Sequence, residues 1–479
     1  MSEPPRGRYD FEPLRKRILQ AVAHGEVTGV GVAVAHRGRV VWEEGFGWAN
    51  RDVGLKVTAH TPFSLASITK PFTTTTLMTL VAEKKVSLEE PANKYLVESK
   101  LHGPNGNPDS ATVRRLGAHV GGLPSMFERY FSGERTQMPE PETLLSEYGR
   151  LAYPAGSYFE YSNIGYAALG AIASNITGME FGVLMTRTIL EPLALRDSFF
   201  GTNATRLQIS AVHYDGSDNP IPYYTTSTPA SGELYASAHD LLRFAMFNLK
   251  NRLKDQSWIL DERWIDELHK PVFAGPSGTA TTFGWFSGRT KSGVPVIFKG
   301  GRRPGVATIM YMVPPENLAC LVLTNRSDNR EFALSLCGQI VAGFLPDWTP
   351  PTEDIGPPSG PFVATPNFAG QWEGTLMGGG ANMRVALVIP SSGTAALSLG
   401  GMPWEKVTDM QSEGIAFTAK SAGVIESADA IRNEATTLAL KLIAENGKLV
   451  GRILATARKP GTLLPYVLTL NRKSEKAPN

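Results

Sequence analysis

A segment dense in proline does most to limit how this chain can fold. Seven of the 21 residues from 346 to 366 are proline. Each proline fixes φ and removes a backbone donor, so the segment favours extended backbone and predicts a linker between folding units. The 479 residues suffice for roughly three units of common size. We therefore expect one domain at 1–345, the linker at 346–366 and another domain at 367–479.

The first domain has strand patterns at both ends and helical patterns between them. An apolar stripe predicts a helix over 10–24, and residues 28–35 and 40–44 predict a β-hairpin. Four later strands and a closing helix are expected at Thr282–Phe286, Val294–Lys299, Ala307–Val313, Ala319–Thr324 and about 331–343. This order predicts an α+β fold, in which an antiparallel sheet is flanked by helices. Helical patterns at 61–220 predict an inserted all-α lobe, with a cleft between the two lobes.

The second domain reads as all-β. Examples of its expected strands are Met383–Ile389, Ala395–Leu399, Ile415–Ala419, Leu438–Leu442, Leu449–Leu454 and Tyr466–Leu470. Asn446-Gly447 suits a two-residue turn with positive φ at both positions. No helix pattern follows Gly378-Gly379-Gly380, which favours a hairpin loop over a phosphate cradle. Many short strands predict a small closed antiparallel barrel, filled by its own side chains rather than by a ligand.

Composition excludes several classes of function. The 47 basic and 45 acidic residues nearly cancel, which gives no case for a nucleic acid or an anionic membrane as partner. The N-terminus lacks an apolar signal stretch and no run is long enough to span a bilayer, so we expect a cytoplasmic protein. Cys320 and Cys337 lie in apolar runs and are expected to be buried free thiols. The eight histidines show no close metal-ligand spacing, and no nucleotide-binding motif occurs. No metal or organic cofactor is implied.

Ser67 and Lys70 stand three residues apart at the start of a helical stretch. Side chains at this spacing share a helix face, so Lys70 can reach the Ser67 hydroxyl. A lysine desolvated in a cleft becomes partly neutral and can accept a proton, which turns the serine into a nucleophile. Pro71 fits an early helical position, which needs no backbone donor. Ser-x-x-Lys also arises by chance in a chain of this length, so it counts only together with other motifs.

Tyr161 and Asn163 lie where a loop meets an apolar helix. A tyrosine at such a junction can point its hydroxyl into a cleft, where a lysine ammonium would lower its pKa. It could then shuttle a proton to a leaving group, while the Asn163 amide holds a substrate carbonyl or Lys70. The alternative is an ordinary helix start with a buried aromatic residue and a capping Asn.

Lys299, Gly300 and Gly301 end the strand predicted at Val294–Lys299. The two glycines would let a ligand lie against the strand edge, and a substrate could pair with that edge as an added strand. The lysine would supply positive charge. The alternative is an edge-strand lysine followed by a glycine turn.

Together, these motifs resemble those of the penicillin-recognising serine hydrolases. That family of class C β-lactamases, DD-peptidases and related esterases and D-aminopeptidases carries Ser-x-x-Lys, Tyr-x-Asn and Lys/His-x-Gly in this order. Here the three motifs start at 67, 161 and 299, and the resemblance covers about 10–345. Residues 113–124, which include His119, look like the family's His-Thr-Ser-Gly-Leu segment. The C-terminal domain resembles the lipocalin-like domain of some members.

The resemblance implies three catalytic residues. Ser67 would be the nucleophile, and Lys70 would be its general base, alone or with Tyr161. Tyr161 would also protonate the leaving group. His119 is expected to be a structural hydrogen-bonding residue rather than a base. No Gly-x-Ser-x-Gly elbow is present, which disfavours the α/β-hydrolase fold.

The resemblance also implies substrate-binding residues along the strand edge. Asn163 would bind the acyl-side amide of the substrate, and Lys299 would meet a substrate carboxylate. The strand edge at Gly300 and Gly301 would accept the substrate. The backbone N–H groups of Ser67 and Arg302 would form the oxyanion hole, a donor of which is typically worth about 3–4 kcal/mol.

Two departures from the family pattern affect substrate preference. Gly300 stands where relatives that bind carboxylates usually carry a hydroxyl residue, so one donor is missing. Arg302 and Arg303 either compensate or are solvated. Glu233 occupies a place usually held by glycine, where it either attracts a substrate amine from the cleft or is a surface-loop carboxylate.

The sequence thus predicts a serine hydrolase that acts through an acyl-enzyme on a small ester, amide or peptide. Because of Gly300 and the missing signal, we expect an esterase or a D-amino-acid amidase or peptidase, with β-lactam hydrolysis as a side activity. One alternative is an acyl transferase that ligates or cyclises peptides. Another is a non-catalytic binding protein. The oligomeric state stays open.

Overall fold

The computed structural model describes residues 9–131, 137–201, 203–353, 355–457 and 461–473. The strands described before the proline-rich segment are β1 (Gly29–His36), β2 (Arg39–Asn50), β3 (Leu55–Lys56), β4 (Phe63–Ser64), β5 (Arg129–Phe131), β6 (Phe199–Phe200), β7 (Tyr224–Thr226), β8 (Leu234–Ala236), β9 (Phe273–Ala274), β10 (Ala280–Thr281), β11 (Phe286–Arg289), β12 (Pro295–Arg303), β13 (Val306–Val313) and β14 (Leu318–Thr324). The α-helices of this region are α1 (Glu12–Ala23), α2 (Thr69–Ala82), α3 (Val113–Gly117), α4 (Pro141–Tyr148), α5 (Asn163–Thr177), α6 (Phe181–Met185), α7 (Ala204–Gln208), α8 (Ala238–Asn248), α9 (Glu262–His269) and α10 (Arg330–Ala342).

Nine strands form the main antiparallel sheet, in the order β3-β2-β1-β14-β13-β12-β11-β10-β9. Strands from the two ends of this region meet inside it, where Val32 of β1 lies opposite Val322 of β14. Helix α8 packs on one face, and α1 and α10 pack on the other. Because both faces are covered, β13 and β14 are continuous buried runs rather than alternating ones. This is the sheet flanked by helices that the sequence predicts.

The expected strand at Thr282–Phe286 is wrong. The chain forms two short strands instead, β10 and β11, joined by a turn in which the Thr282 N–H donates to the Trp285 carbonyl at 2.9 Å. Gly284 has φ +99° in this turn, a conformation that side chains disfavour. Phe283 and Trp285 lie in this turn, and their side chains are buried. Apolar residues here therefore do not indicate a strand.

Helix α2 lies at the centre of the helical lobe and is buried along nearly its whole length. Four consecutive threonines, Thr73–Thr76, are fully buried in it. Their hydroxyls donate to carbonyls of the preceding turn, as Thr75 does to Pro71 at 2.7 Å, so the polar groups are satisfied without water. The lobe at 61–220 is not purely helical, since β4, β5 and β6 fall within it.

The C-terminal region forms one ten-stranded antiparallel sheet. Its strands are β15 (Ser359–Pro361), β16 (Gly370–Gly378), β17 (Ala381–Ile389), β18 (Ala396–Leu399), β19 (Glu405–Lys406), β20 (Thr408–Glu413), β21 (Ala416–Ala422), β22 (Ala435–Glu445), β23 (Lys448–Ala457) and β24 (Leu463–Arg472), with the short helix α11 (Ala428–Arg432) before β22. The order β15-β20-β21-β22-β23-β24-β16-β17-β18-β19 leaves β15 and β19 as edges that do not pair with each other.

The expected closed barrel is therefore wrong in its closure: the sheet is barrel-like but open. Its likeness to a lipocalin stays a prediction. The turns agree with the sequence. Asn446-Gly447 has φ values of +50° and +76° between β22 and β23, and Gly378-Gly379-Gly380 lies in the β16–β17 hairpin. Strands β16 and β20 were not expected, because their polar and glycine-containing sequences hide the alternation.

The C-terminal sheet packs against the helical lobe through buried polar contacts. The Asn105 amide donates to the Leu468 carbonyl at 2.8 Å, and Arg452 donates to Glu160 at 3.0 Å. The proline-rich segment is held as well, since Ile355 is 1% exposed. These contacts make the two regions one packed body at this interface.

Two smaller expectations concern the cysteines and the apolar helices. Cys320 and Cys337 are buried and free, as predicted. Among the described helices, none alone has the length and apolar composition to cross a bilayer; only the bent pair Asn163–Thr177 and Phe181–Leu190, taken together, does.

Candidate active site

Ser67 sits in a tight turn between strand β4 and helix α2. The turn is a 3₁₀ segment, Ala66–Ile68, and Ala66 has φ +45°, a region that residues with a Cβ rarely adopt. Such backbone conformations cost of order 1–3 kcal/mol and persist where the surroundings fix them. The turn places the Ser67 side chain on the wall of a cavity at the start of α2.

Lys70 is fully buried one helical turn after Ser67. Its Nζ lies 3.3 Å from the Ser67 Oγ, 2.8 Å from the Asn163 Oδ1 and 3.0 Å from the Ser231 carbonyl oxygen. No carboxylate is among these partners. Burial lowers the pKa of Lys70 well below its usual value, and the positive charge of Lys299 lowers that pKa further. A neutral amine fits this arrangement, because its two N–H groups can bind Asn163 and Ser231 while its lone pair faces the Ser67 hydroxyl.

Tyr161 is brought to the same point from the loop before α5. Its hydroxyl is hydrogen-bonded to the Ser67 side chain. The Nζ atoms of Lys70 and Lys299 lie 4.9 and 4.8 Å from the centre of its ring. The structure thus gathers Ser67, Lys70 and Tyr161 from two distant stretches of chain into one cavity.

The expectation that the Tyr161 pKa falls is wrong in direction. Burial raises the pKa of Tyr161 above its ordinary value; its hydrogen bond with Ser67 lowers that pKa, and the charge of Glu353 raises it. Taking a phenol out of water disfavours the phenolate, and this is the largest effect on the Tyr161 pKa. Tyr161 is therefore a neutral phenol, which suits a proton donor better than a base.

His119 supports Tyr161 from behind. The two rings stack with centroids 4.1 Å apart, and the Ser162 N–H donates to the His119 Nδ1 at 3.1 Å. Burial holds the pKa of His119 well below its usual value, and the charges of Lys299 and Lys70 act in the same direction. A neutral ring that accepts a backbone hydrogen bond here positions the loop of Tyr161, in agreement with the structural role expected of it.

Asn163 is the first residue of α5, and its side chain faces the cavity. The helix cap is Ser162, whose Oγ accepts the Gly165 N–H at 3.0 Å, so the alternative of a capping Asn is wrong. The Asn163 Oδ1 accepts from Lys70, and its Nδ2 donates to the Met126 carbonyl at 2.7 Å. Asn163 therefore orients Lys70 in addition to lining the cavity.

Lys299 is 2% exposed and lies between aromatic rings, with its Nζ 4.2 Å from the centre of the Phe286 ring. Burial lowers the pKa of Lys299 to about 8, and the charge of Glu353 opposes this shift. Gly301 allows β12 to approach the turn of Ser67, because a Cβ there would lie 2.2 Å from the Leu65 carbonyl oxygen. The glycine that the sequence assigns to ligand access is thus also needed for packing.

The cavity has a volume of about 670 Å³ and is lined by both regions of the chain. Ser67, Tyr161, Asn163 and Arg302 form part of its wall, and Gly461 and Leu463 of the C-terminal region form another part. The backbones of Leu463 and Phe127 pair across the rim, with N···O distances of 2.7 and 3.0 Å. Nothing in the sequence indicates that the C-terminal sheet reaches this cavity.

Glu233 is neither a surface-loop carboxylate nor part of the cavity lining. It is 1% exposed, and its Oε1 accepts from Arg303 at 2.9 Å and from the Thr226 hydroxyl at 2.8 Å. Arg303 lines the cavity, so Glu233 fixes the wall from behind. A carboxylate held this way does not meet a substrate amine. Of the two arginines considered, Arg302 is the exposed one and Arg303 is buried.

Two partners of the site lie outside the predicted motifs. Ser231 holds Lys70 through a backbone carbonyl, which any residue type supplies, so its sequence carries no signal. Glu353 lies in the proline-rich segment, and its Oε1 accepts the Gly300 N–H at 2.7 Å. The contact between Glu353 and Gly300 depends on the path of the linker, which the spacing of residues in the sequence does not reveal.

One group of potential metal ligands occurs in the described part of the chain, away from the predicted motifs. Glu43, His60 and His239 place one ligand atom each within 4.8 Å of one another. The two histidines are already hydrogen-bonded by carboxylates, His239 to Glu43 and His60 to Asp197, both at 2.9 Å. The three residues come from distant segments, so their spacing in sequence did not show the group.

Comparison with known proteins places this geometry in context. The family described as Beta-lactamase matches residues 14–336. Protein flp of Staphylococcus aureus (strain MRSA252) is 25% identical over 310 residues, which make up 63% of this chain and 60% of that protein. The chain therefore spans less than two thirds of the length of this curated relative.

Solved structures share the fold at low identity. SurE superposes with a TM-score of 0.66 at 19% identity, covering 96% of this chain and 98% of that one. A beta-lactamase/D-alanine carboxypeptidase from Pseudomonas syringae gives a TM-score of 0.58 at 20% identity, covering 70% of this chain and 99% of that one. Since the family match spans well over half of the sequence, from α1 into α10, the chain belongs to the beta-lactamase family.

Proposed function

We propose that this protein is a serine hydrolase that cleaves ester or amide bonds through an acyl-enzyme on Ser67. The observation that carries the proposal is the buried Lys70, whose Nζ lies 3.3 Å from the Ser67 Oγ and has Ser67, Asn163 and the Ser231 carbonyl, but no carboxylate, as its partners among the described residues. A desolvated amine beside a hydroxyl is the arrangement that activates a serine nucleophile. The proposal is supported by membership of the beta-lactamase family.

In the acylation step Ser67 attacks the substrate carbonyl and its proton passes to neutral Lys70. Asn163 and the Ser231 carbonyl keep the amine in place during this transfer. Burial lowers the Lys70 pKa, and the charge of Lys299 lowers it further, which favours the unprotonated amine. General-base catalysis of this kind typically contributes about 10²–10⁴-fold.

Negative charge develops on the oxygen of the substrate carbonyl, and this oxyanion needs hydrogen-bond donors. The Gly300 N–H points away from β13, toward Glu353. Because N–H directions alternate along an antiparallel strand, the Arg302 N–H points to the same side. Together with the Ser67 N–H at the start of α2, it makes the two donors of an oxyanion hole.

Collapse of the tetrahedral intermediate expels an alcohol or an amine, which must gain a proton. Tyr161 is a neutral phenol in contact with Ser67, so it can give its proton to the leaving group and regain one from protonated Lys70. Water then attacks the acyl-enzyme by the reverse sequence. Solved neighbours include a protein named as a D-alanine carboxypeptidase, which supports testing D-residue amides beside simple esters.

The test combines labelling with a substrate panel. A fluorophosphonate should label the wild type and not Ser67→Ala, with peptide mapping to Ser67. The wild type should hydrolyse at least one of a p-nitrophenyl ester, a chromogenic cephalosporin, and the D- and L-alanine anilides. Equal absence of labelling and turnover in both proteins would favour a non-catalytic binding protein instead.

A further inference from the structure

The proline-rich segment passes over strands β11 and β12 of the main sheet and the end of β9, where three glycines leave space for it. A Cβ on Gly275 would lie 2.4 Å from the Ile355 carbonyl oxygen, and one on Gly288 would lie 2.7 Å from the Pro351 Cβ. A Cβ on Gly300 would lie 2.7 Å from the Glu353 Oε1. A Cβ at Gly275 or Gly288 would force the segment to move, and a Cβ at Gly300 would displace the Glu353 carboxylate, so the three glycines leave room for this path.

This path places the Glu353 carboxylate at the open edge of β12. Strand β11 pairs with β12 only as far as Phe298, and within the described part of the chain no other strand pairs with the edge beyond it. The Gly300 N–H at this edge donates to the Glu353 Oε1 at 2.7 Å, and Arg330 of α10 lies 3.3 Å from the Oε2. A backbone donor beside Lys299 is thus already taken by a carboxylate of the protein itself.

Glu353 also interacts with the charges of the site. Its negative charge raises the pKa values of Lys299 and Tyr161, which places it within electrostatic range of both. Lys299 has no carboxylate within ion-pair distance among the described residues, so Glu353 is the acidic group that acts on it through space. An anionic group that entered beside Lys299 would meet this charge.

We propose that Glu353 is a specificity-determining residue that occupies the Gly300 N–H at the β12 edge and selects acyl donors without a carboxylate on the part that lies against this edge. The inference rests on the proposed function. An incoming carboxylate must displace Glu353 from Gly300 or lie next to it, and both are unfavourable. The Glu353 carboxylate does not repel neutral and amine-bearing esters and amides, so they form the substrate class.

The experiment compares two esters that differ only in charge. The phenylacetyl esters of 3-hydroxybenzoate and of 3-hydroxybenzamide have nearly the same shape, and one carries a carboxylate. The ratio of their kcat/KM values is measured for the wild type, Glu353→Gln and Glu353→Ala. The pH is kept below the Lys299 pKa of about 8 so that Lys299 stays charged. Glu331→Gln, an exposed acid on α10, is the matched control.

We expect the wild type to prefer the neutral ester, and Glu353→Gln to raise the relative kcat/KM of the anionic ester about tenfold. Glu353→Ala should do at least as much, while Glu331→Gln should leave the ratio unchanged. An unchanged ratio in both Glu353 variants, with the neutral ester still hydrolysed, would overturn the inference and leave the proposed function standing. A wild type that hydrolyses neither ester and resists fluorophosphonate would overturn both.

Discussion

The inner and outer parts of the cavity differ in origin. The inner part, with Ser67, Lys70 and Tyr161, comes wholly from the region that matches the beta-lactamase family. The outer part includes Leu463, and Glu353 binds the Gly300 N–H at the neighbouring β12 edge; both residues lie beyond the matched residues. The difference suggests a division of work, in which the inner part carries the bond chemistry and the outer part governs which substrates reach it. The four predictions below test that division.

Removing the amine from the inner part should have the largest effect. Lys70→Met keeps an unbranched side chain but leaves Ser67 without a base, so kcat should fall at least about a hundredfold with little change in KM. Steady-state kinetics on the best substrate of the panel would measure this. Lys85→Met, an exposed lysine shortly after α2, is the control. A rate within a few fold of wild type would remove Lys70 from the mechanism.

Gly301→Ala should disturb the inner part through packing. The new Cβ would lie 2.2 Å from the Leu65 carbonyl oxygen and 2.4 Å from the Thr308 Oγ1, which pushes β12 away from the Ser67 turn. Because the Arg302 N–H moves with the strand, kcat/KM should fall by about tenfold or more. Gly338→Ala in α10, where the nearest atom is 3.4 Å away, should leave activity intact. Wild-type activity in Gly301→Ala would argue against the oxyanion donor.

The charge of Lys299 should affect the pH dependence of kcat/KM. Its charge lowers the Lys70 pKa, so removing that charge in Lys299→Met should raise the pKa of Lys70. Lys70 would then lose its proton at higher pH, and the acidic limb of the kcat/KM profile should move upward by roughly one pH unit. A pH series on a neutral ester measures the shift. A limb that stays in place, or moves downward, would mean that Lys70 is not the group that titrates.

Leu463→Ala should produce the smallest effect and should act on the outer part alone. Its side chain lines the cavity, while its pairing with Phe127 uses only backbone atoms. Loss of apolar contact should raise KM for large acyl groups about two- to fivefold and leave kcat unchanged. Val424→Ala, exposed in the loop after β21, is the control. A large fall in kcat would show that the division between the two parts is wrong.

The sequence predicts the inner part well because its key contacts are either local or marked by motifs. The spacing of Ser67 and Lys70 is one helical turn, which fixes their proximity wherever the helix lies. The position of Tyr161 came from the resemblance, because nothing in its own segment says which cavity it faces. The arrangement of a sheet flanked by helices followed from the order of strand and helix patterns.

The remaining features depend on tertiary packing. The contact of Glu353 with Gly300 joins residues 53 apart through the course of a linker that was expected to be a spacer. Glu233 is buried, and burial raises the pKa of Tyr161. A single sequence does not show which side chains are removed from water. Closure of the C-terminal sheet depends on whether its two edge strands pair. Edge strands this short have too few residues to show an alternation of apolar and polar side chains.

The course of the proline-rich segment has a consequence for dissecting the protein. A chain cut after residue 345 would keep every motif of the beta-lactamase family, yet it would lose Glu353, Ile355 and Leu463 together. The Gly300 amide would then face solvent, and the cavity would be wider at one side. Such a fragment would therefore report on an enzyme with altered selectivity, and the boundary that looks natural in the sequence is a poor place to divide the molecule.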